Sequence, residues 1–117
     1  MSTPDADCLF CKIVAGEIPA TVVHESPSTV AFRDVSPQAP THVLVVPRSH
    51  HADAAALAAA EPATVADLVS AAAEVARADG VGDDYRLVFN TGAGAGQTVF
   101  HTHLHVLGGR PFTWPPG

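Results

Sequence analysis

Residues 101 to 105 are His101-Thr102-His103-Leu104-His105, three imidazoles in alternation near the end of a 117-residue chain. Successive side chains of a β-strand point to opposite faces of its sheet. In a strand over residues 99–107, the three imidazoles share one face, and Phe100, Leu104 and Val106 share the other and pack on the core. We therefore predict a strand with one histidine face that is kept for chemistry.

The rest of the chain predicts four further strands and one long helix. Apolar residues recur at helical spacing from 62 to 79, with Pro62 at the start and Gly80 after the end. Lys12 to Ala15 predicts one short helical turn. Runs rich in β-branched and aromatic residues predict strands at 21–25, 29–34, 42–46 and 85–90. Short turns between most strands favour an antiparallel α+β fold, in a single domain of residues 1–117.

The charge of the chain excludes some partners. Six Lys and Arg residues against twelve Asp and Glu residues give a formal net charge of −6. Such a surface repels nucleic acid polymers and anionic membranes. No export signal or spanning segment is recognisable, and the two cysteines are too close in sequence to link distant segments. We predict a cytoplasmic protein with no nucleic acid or membrane partner. To bind a small anion, such a negatively charged protein would need a local pocket.

Three alternating imidazoles allow two kinds of chemistry. A single strand histidine is most often a packing residue, but three on one face favour a metal site or phosphoryl chemistry. No Asp or Glu follows Asp84, and this lack of carboxylate ligands near the triplet argues against a hydrolytic metal centre. The stretch Thr91-Gly92-Ala93-Gly94-Ala95-Gly96 suits phosphate binding through backbone amides, although most glycine-rich stretches are only turns.

The segment His101-Thr102-His103-Leu104-His105-Val106-Leu107 resembles the signature of the histidine triad (HIT) family, His-φ-His-φ-His-φ-φ, where φ is usually apolar and Thr102 is a mild departure. Residues 34–42, 96–99 and 108–117 are similar to the nucleoside phosphoramidase branch of that family. The likeness runs from about Cys8 to the C-terminus. It implies a HIT-like fold: a five-stranded antiparallel sheet with one long and one short helix, extended across a homodimer.

The resemblance also implies a function. The chain would be a purine nucleoside phosphoramidase, a nucleotidyl hydrolase that cleaves the P–N bond of an AMP-amine conjugate without a catalytic cofactor. His103 would attack phosphorus through Nε2 while its Nδ1–H is held by a backbone carbonyl, giving a covalent nucleotidyl-histidine. His101, His105 and His42 would be its catalytic neighbours. Two alternatives are a non-catalytic nucleotide-binding regulatory module and a metal-dependent hydrolase with the triplet as ligands.

The same resemblance assigns the nucleotide-binding residues. Asp34 would bind the ribose hydroxyls, and Phe32 and Val35 would enclose the base, with core packing as the alternative for both. Gln97 and Thr98 would contact the phosphate or help to protonate the leaving amine. The remaining members of the predicted site are Asn90, Gly96, Val99, His103 and His105.

A structural zinc site is implied by likeness to bacterial family members. Its ligands would be Cys8, Cys11, His50 and His101, and the alternative is a pair of reduced thiols. The family likeness also brings Trp114 close to the partner subunit's site, unless it packs on its own subunit. His24 and His51 match no site residue and are expected at the surface.

Overall fold

The computed structural model describes residues 5–117. Its five strands are β1 (Val22–Glu25), β2 (Thr29–Arg33), β3 (Thr41–Pro47), β4 (Tyr85–Val88) and β5 (Leu104–Gly108). They form one antiparallel sheet in the order β1-β2-β3-β5-β4. The helices are α1 (Leu9–Val14), α2 (Ala54–Ala60) and α3 (Pro62–Ala78), with a 3₁₀ turn at Ala93–Ala95. The predicted antiparallel α+β fold is confirmed. Across residues 5–117, no helix has the length and apolar character needed to span a membrane.

Helix α3 covers one face of the sheet. Val43 and Val45 of β3 and Val106 of β5 are fully buried on that face, where they join a cluster with Leu68 and Ala72 of α3. Removing such apolar side chains from water is the main stabilising contribution of this face. Because side chains alternate, the intervening residues of the same strands project to the opposite face.

The opposite face carries the chemistry. Phe32 of β2 and Leu44 of β3 pack there against Phe10 of α1. His42 of β3 and His105 of β5, which is the neighbouring strand, also project from this face. Helix α1 is short, so it leaves part of the face uncovered.

The last strand is shorter than predicted. It begins at Leu104, because the Thr102 amide and hydroxyl both donate to the carbonyl of His51, at 2.8 and 3.0 Å, instead of joining a strand ladder. Phe100 was expected in the core, but it is 52% exposed. Of the three triplet histidines, only His105 lies within β5.

The helix prediction was incomplete at two places. The short helix covers Leu9–Val14 rather than residues 12–15, and the Cys8 sulfur accepts from the Cys11 amide at its start. Helix α2 was not predicted, because a run of alanines lacks the alternation of polar and apolar residues that marks a helix face. The Asp53 carboxylate caps it, accepting from the Ala56 amide at 2.9 Å. The long helix was predicted to within one residue.

Candidate active site

A cavity of about 660 Å³ opens on the face that α1 leaves uncovered. Apolar side chains of α1 and of the segment before β1 make much of its wall. Seven residues predicted from the sequence line it: Phe32, Asp34, Val35, Thr98, Val99, His103 and His105. Arg33 is the one Lys or Arg in the described wall, and its guanidinium is paired with Asp79. Any anion in this cavity must therefore be held mainly by imidazoles and backbone amides.

His103 presents one nitrogen to the cavity. Its Nδ1 lies 2.8 Å from the carbonyl oxygen of His101, and a carbonyl only accepts, so Nδ1 carries the proton. The ring is 8% exposed and rests edge-on against Phe10, with centroids 5.1 Å apart. No residue between 5 and 117 bonds Nε2. In the neutral ring, the lone pair is therefore on Nε2.

A second chain of hydrogen bonds fixes the tautomers of His42 and His105. The Gln38 amide donates to His42 Nδ1 at 3.0 Å, so the proton of neutral His42 is on Nε2. That Nε2–H donates to His105 Nδ1 at 3.0 Å, which leaves His105 with its proton on Nε2. The rings of His105 and His103 are 5.1 Å apart. His105, with its proton on Nε2, is thus a close neighbour of the nucleophile candidate His103.

Burial keeps these imidazoles neutral. It lowers the pKa of His42, against the opposing effect of Asp34, and it lowers the pKa of His105 to about 4, with smaller effects of His103 and His42. Both rings are therefore uncharged near pH 7, which agrees with a hydrogen bond between them. Asp34 approaches this pair, with its Oδ2 3.5 Å from His42 Nε2.

His101 belongs to a different cluster. Its Nε2–H donates to the Pro47 carbonyl at 2.9 Å, so its Nδ1 lone pair points away from the sheet. That Nδ1 lies 3.5 Å from the sulfur atoms of both Cys8 and Cys11 and 3.2 Å from His50 Nδ1. The distance from Cys11 Sγ to His50 Nδ1 is 3.3 Å. Burial lowers the pKa of His101 to about 4 and raises the pKa of the Cys11 thiol.

These separations match the edges of a tetrahedral zinc site. Zn–S bonds of about 2.3 Å and Zn–N bonds of about 2.05 Å place sulfur and nitrogen ligands about 3.5 Å apart and two nitrogens about 3.3 Å apart. The four residues of this Cys₂His₂ cluster (Cys8, Cys11, His50, His101) have donor atoms that all lie within 4.8 Å of one another. The donor set and the spacing therefore fit a closed structural metal site.

Asp34, His42 and His105 also lie close together, but they are poor metal ligands. A metal on His42 Nε2 would require the ring proton to move to Nδ1, where the Gln38 amide already points its own hydrogen. The imidazoles of the triplet also serve separate purposes, since His101 faces the cysteines and His103 faces the cavity. Within the described residues, the Cys₂His₂ cluster and the cavity are thus separate sites.

Of the residues predicted for catalysis and nucleotide binding, five do not line the cavity: Asn90, Gly96, Gln97, His42 and His101. Gln97 is 3% exposed and its side chain stabilises the neighbouring loop. Its Oε1 accepts from the Gly92 amide at 2.8 Å, and its Nε2 donates to the carbonyls of Ala52 and Val99. The amides of Gly96 and Gln97 bond within the same loop, and so does that of Ala95. Thr98 and Val99 are the part of this loop at the cavity.

The two residues that the resemblance assigns to the base, Phe32 and Val35, differ in exposure. Val35 is 98% exposed, so it is not a core residue, and Phe32 is 4% exposed with its ring 5.4 Å from that of Phe10. Both line the cavity. Of these two residues, only Phe32 packs in the core, and the part of it that remains accessible faces the cavity.

Two features were not found from the sequence. His51 was expected at the surface, but its side chain is 13% exposed and bonds Glu61 at 2.7 Å. That contact lowers the pKa of Glu61. Arg110 donates from Nε to the Gln38 carbonyl at 2.8 Å. Neither contact has a local sequence signal, because each joins residues that are distant along the chain.

With this geometry established, comparison with known proteins identifies the family. The sequence profile of the HIT domain matches residues 15–112. The chain belongs to the HIT family. Among relatives of this HIT protein, an uncharacterised HIT-like protein of Synechocystis is 51% identical over 111 residues, covering 95% of this chain and 97% of the relative. A maize protein named 14 kDa zinc-binding protein is 44% identical over 116 residues, covering 97% and 90%.

Solved structures share the HIT fold. A HIT family hydrolase from Legionella pneumophila has a TM-score of 0.90 and 51% identity, and the match covers 95% of this chain and 100% of that one. A histidine triad nucleotide-binding protein from Candida albicans has a TM-score of 0.81 and 27% identity, with 95% and 85% covered. The five-stranded antiparallel α+β fold that the resemblance predicts is thereby confirmed for the single chain.

Proposed function

We propose that this HIT protein is a nucleoside phosphoramidase, a hydrolase that cleaves the P–N bond of purine nucleoside monophosphate conjugates such as AMP-amines. One observation carries the proposal: His103 Nδ1–H is bonded to a backbone carbonyl, which leaves an unprotonated Nε2 at the cavity. An imidazole fixed in this tautomer is a nucleophile at neutral pH. The names of the Legionella hydrolase and the Candida nucleotide-binding protein agree with it.

The reaction has two steps. His103 Nε2 attacks the α-phosphorus, the P–N bond breaks, and the leaving amine takes a proton, which gives a nucleotidyl-histidine. Water then attacks the same phosphorus, the P–Nε2 bond breaks, and AMP leaves. His105 Nε2–H donates to a phosphate oxygen, and the Thr98 hydroxyl is a donor for the leaving-group side.

The nucleoside lies along the apolar part of the cavity. Asp34 accepts from the ribose hydroxyls while its Oδ1 also accepts from the Ser36 amide at 2.8 Å, which holds the carboxylate at the cavity edge. Phe32 and Val35 contact the base. Gln97, Gly96 and Asn90 support the loop that presents Thr98.

The direct test is release of AMP from an adenosine phosphoramidate. His103→Ala removes the nucleophile and is expected to lower kcat by about a thousandfold or more. His24→Gln, which replaces an imidazole of β1 outside the cavity, is the matched control and should keep wild-type activity. Acid quenching of the wild-type reaction should trap nucleotidyl-protein. Equal activity of the His103 variant and wild type would contradict the mechanism, and tight binding without turnover would favour a regulatory module.

We also propose that the Cys₂His₂ cluster holds one structural zinc ion, in agreement with the name of the maize relative. Bound there, zinc would tie the segment before α1 to the segment that precedes β5. Neither cysteine is in a disulfide, so both sulfur atoms are available as ligands. His50→Gln should lower the zinc content measured by mass spectrometry, whereas His51→Gln, one residue away, should keep it. A wild-type protein without zinc after growth in zinc-supplemented medium would contradict this proposal.

A homodimer is the third part of the proposal. Strand β4 is at one edge of the sheet, and its four residues are only half-buried. A second chain that pairs along β4 would continue the sheet and satisfy its free backbone groups. Light scattering on the purified protein should give twice the 12.0 kDa chain mass, and a monomer mass at micromolar concentration would contradict it.

A further inference from the structure

The tautomer of His42 depends on a turn that joins β2 to β3. Within this turn, the Gln38 amide is the donor to His42 Nδ1, and the Gln38 side chain donates to the Ser36 carbonyl at 3.0 Å. The Asp34 amide donates to the His42 carbonyl at 3.0 Å. Gln38 itself is exposed, so burial alone does not hold its backbone in place.

The segment after β5 packs against this turn. Arg110 Nε donates to the Gln38 carbonyl at 2.8 Å, and its Nη1 donates to the Pro111 carbonyl at 3.1 Å. The Arg110 guanidinium lies over the Phe112 ring at 4.3 Å, a cation–π contact that orients the side chain. A Cβ added to Gly109 would lie 2.9 Å from Pro40 Cβ, which shows how closely the backbone of Gly109 approaches the Pro40 ring.

We propose that Arg110 is a positioning residue for the imidazole pair of the active site. By fixing the Gln38 carbonyl, Arg110 holds this turn so that the Gln38 amide points at His42 Nδ1. This keeps the proton of His42 on Nε2, facing His105, and the proton of His105 on the nitrogen that faces the cavity. The proposal rests on the proposed phosphoramidase function for its kinetic consequence but not for the tautomer itself.

The direction of the effect follows from the hydrogen bond. A proton on His42 Nδ1 would displace the Gln38 amide, so this amide stabilises neutral His42. Losing its alignment makes protonation easier and raises the pKa of His42. The titratable groups that face His42 are Asp34 at the end of β2 and His105 of β5, with His103 beyond His105. The variants proposed below leave all of them in place.

The structure offers a matched control on the same aromatic ring. Arg86 lies 5.0 Å from the centre of Phe112 and donates to the Thr113 carbonyl at 3.0 Å, without any contact to Gln38. Arg86→Ala therefore removes a cation from Phe112 but leaves the turn untouched, whereas Arg110→Ala removes the contact to Gln38. Arg110→Lys keeps a donor and should restore part of the effect.

Two measurements test whether Arg110 positions the imidazole pair. In ¹⁵N spectra of the imidazoles, wild type and Arg86→Ala should show His42 protonated on Nε2 only, and Arg110→Ala should show protonation shared with Nδ1. The acid limb of kcat/KM should move up by about half a pH unit in Arg110→Ala, which amounts to a loss of up to about threefold on the acid side, the size expected from one hydrogen bond. Arg110→Lys should lie between the two.

The proposal is overturned by unchanged His42 signals in Arg110→Ala, and also by equal changes in Arg86→Ala, which would indicate a general effect of the tail. Thermal unfolding of each variant separates a misfolded protein from a repositioned turn. If the wild type does not turn over the phosphoramidate, the function is wrong, and the nitrogen signals still decide the role of Arg110.

Discussion

At the scale of single residues, the protein gives one side-chain type different tasks through its backbone partners. A carbonyl of Pro47 places the proton of His101 on Nε2, and a carbonyl of His101 places that of His103 on Nδ1. An amide does the reverse at His42. Since these partners are main-chain groups, they persist when the side chains of their own residues are substituted, and only a change that moves the backbone misaligns them. The path of the backbone therefore turns His101 toward the cysteines, His103 toward the cavity and His42 toward His105.

Gly109 provides a test of how closely the tail approaches the turn. Gly109→Ala places a Cβ 2.9 Å from Pro40 at a φ of +91°, so both clash and backbone strain oppose it, and we expect a loss of about 2–3 kcal/mol in the free energy of unfolding. Gly16→Ala has a φ of +78° and no neighbour within 4 Å, so it should cost only about 1 kcal/mol. Urea unfolding measures both. Equal losses would mean that the clash is relieved by movement of the tail.

Thr102 is the one residue of the histidine signature that departs from its apolar pattern, and the structure explains why a hydroxyl fits there. It is 1% exposed, and its Oγ1 donates to the His51 carbonyl. Thr102→Val keeps the shape and removes this bond, so we expect a loss of about 1 kcal/mol in the free energy of unfolding. Thr102→Ser, which keeps the hydroxyl, is the control. A Val variant as stable as wild type would show that the bond contributes nothing net.

At the scale of elements, the sequence patterns predicted the helix and strands that are determined by their own side chains. The period of apolar residues located α3, and β-branched runs located β1 to β4, because each signal comes from side chains within the element itself. The start of β5 was misjudged, since it depends on a bond from Thr102 to a carbonyl 51 positions earlier in the chain. The proposed nucleophile came from spacing within one short segment, whereas Arg110 and His51 act through contacts that no local pattern encodes.

A salt bridge links β2 to the end of α3. Arg33 Nη2 lies 3.0 Å from Asp79 Oδ1, and Thr41 Oγ1 donates to the same carboxylate at 2.9 Å. The Arg33 hydrogen bond holds the pKa of Asp79 below its usual value. We expect Asp79→Asn to lower the free energy of unfolding by about 1 kcal/mol at pH 7, allowing for the partial exposure of the pair.

The pH dependence of this variant follows from the same shift. Because the folded protein lowers the pKa of Asp79, the stabilisation is present above the ordinary carboxyl range and is lost as pH falls through the folded value. The difference between wild type and Asp79→Asn should therefore shrink below about pH 4. Chemical unfolding at a series of pH values checks this, and a constant difference down to pH 2 would contradict it.

At the scale of the whole molecule, buried neutral imidazoles limit acid stability. The pKa of His105 is lowered to about 4, while unfolding returns it to about 6.5. Between these values the unfolded chain binds protons that the folded chain does not, so the free energy of unfolding should fall as pH drops from about 6.5 to 4. Replacing His105 with Asn should flatten this slope. An unchanged slope would place the acid sensitivity elsewhere.

The exposed position of Trp114 gives this protein a built-in optical signal. It is the only tryptophan of the chain and is 83% exposed, next to the segment that Arg86 and Arg110 hold around Phe112. Its fluorescence should therefore show the red emission maximum and easy iodide quenching of an indole in water. Any second chain that covers the tail would shift that emission to the blue, so dilution of unlabelled protein would report on assembly directly.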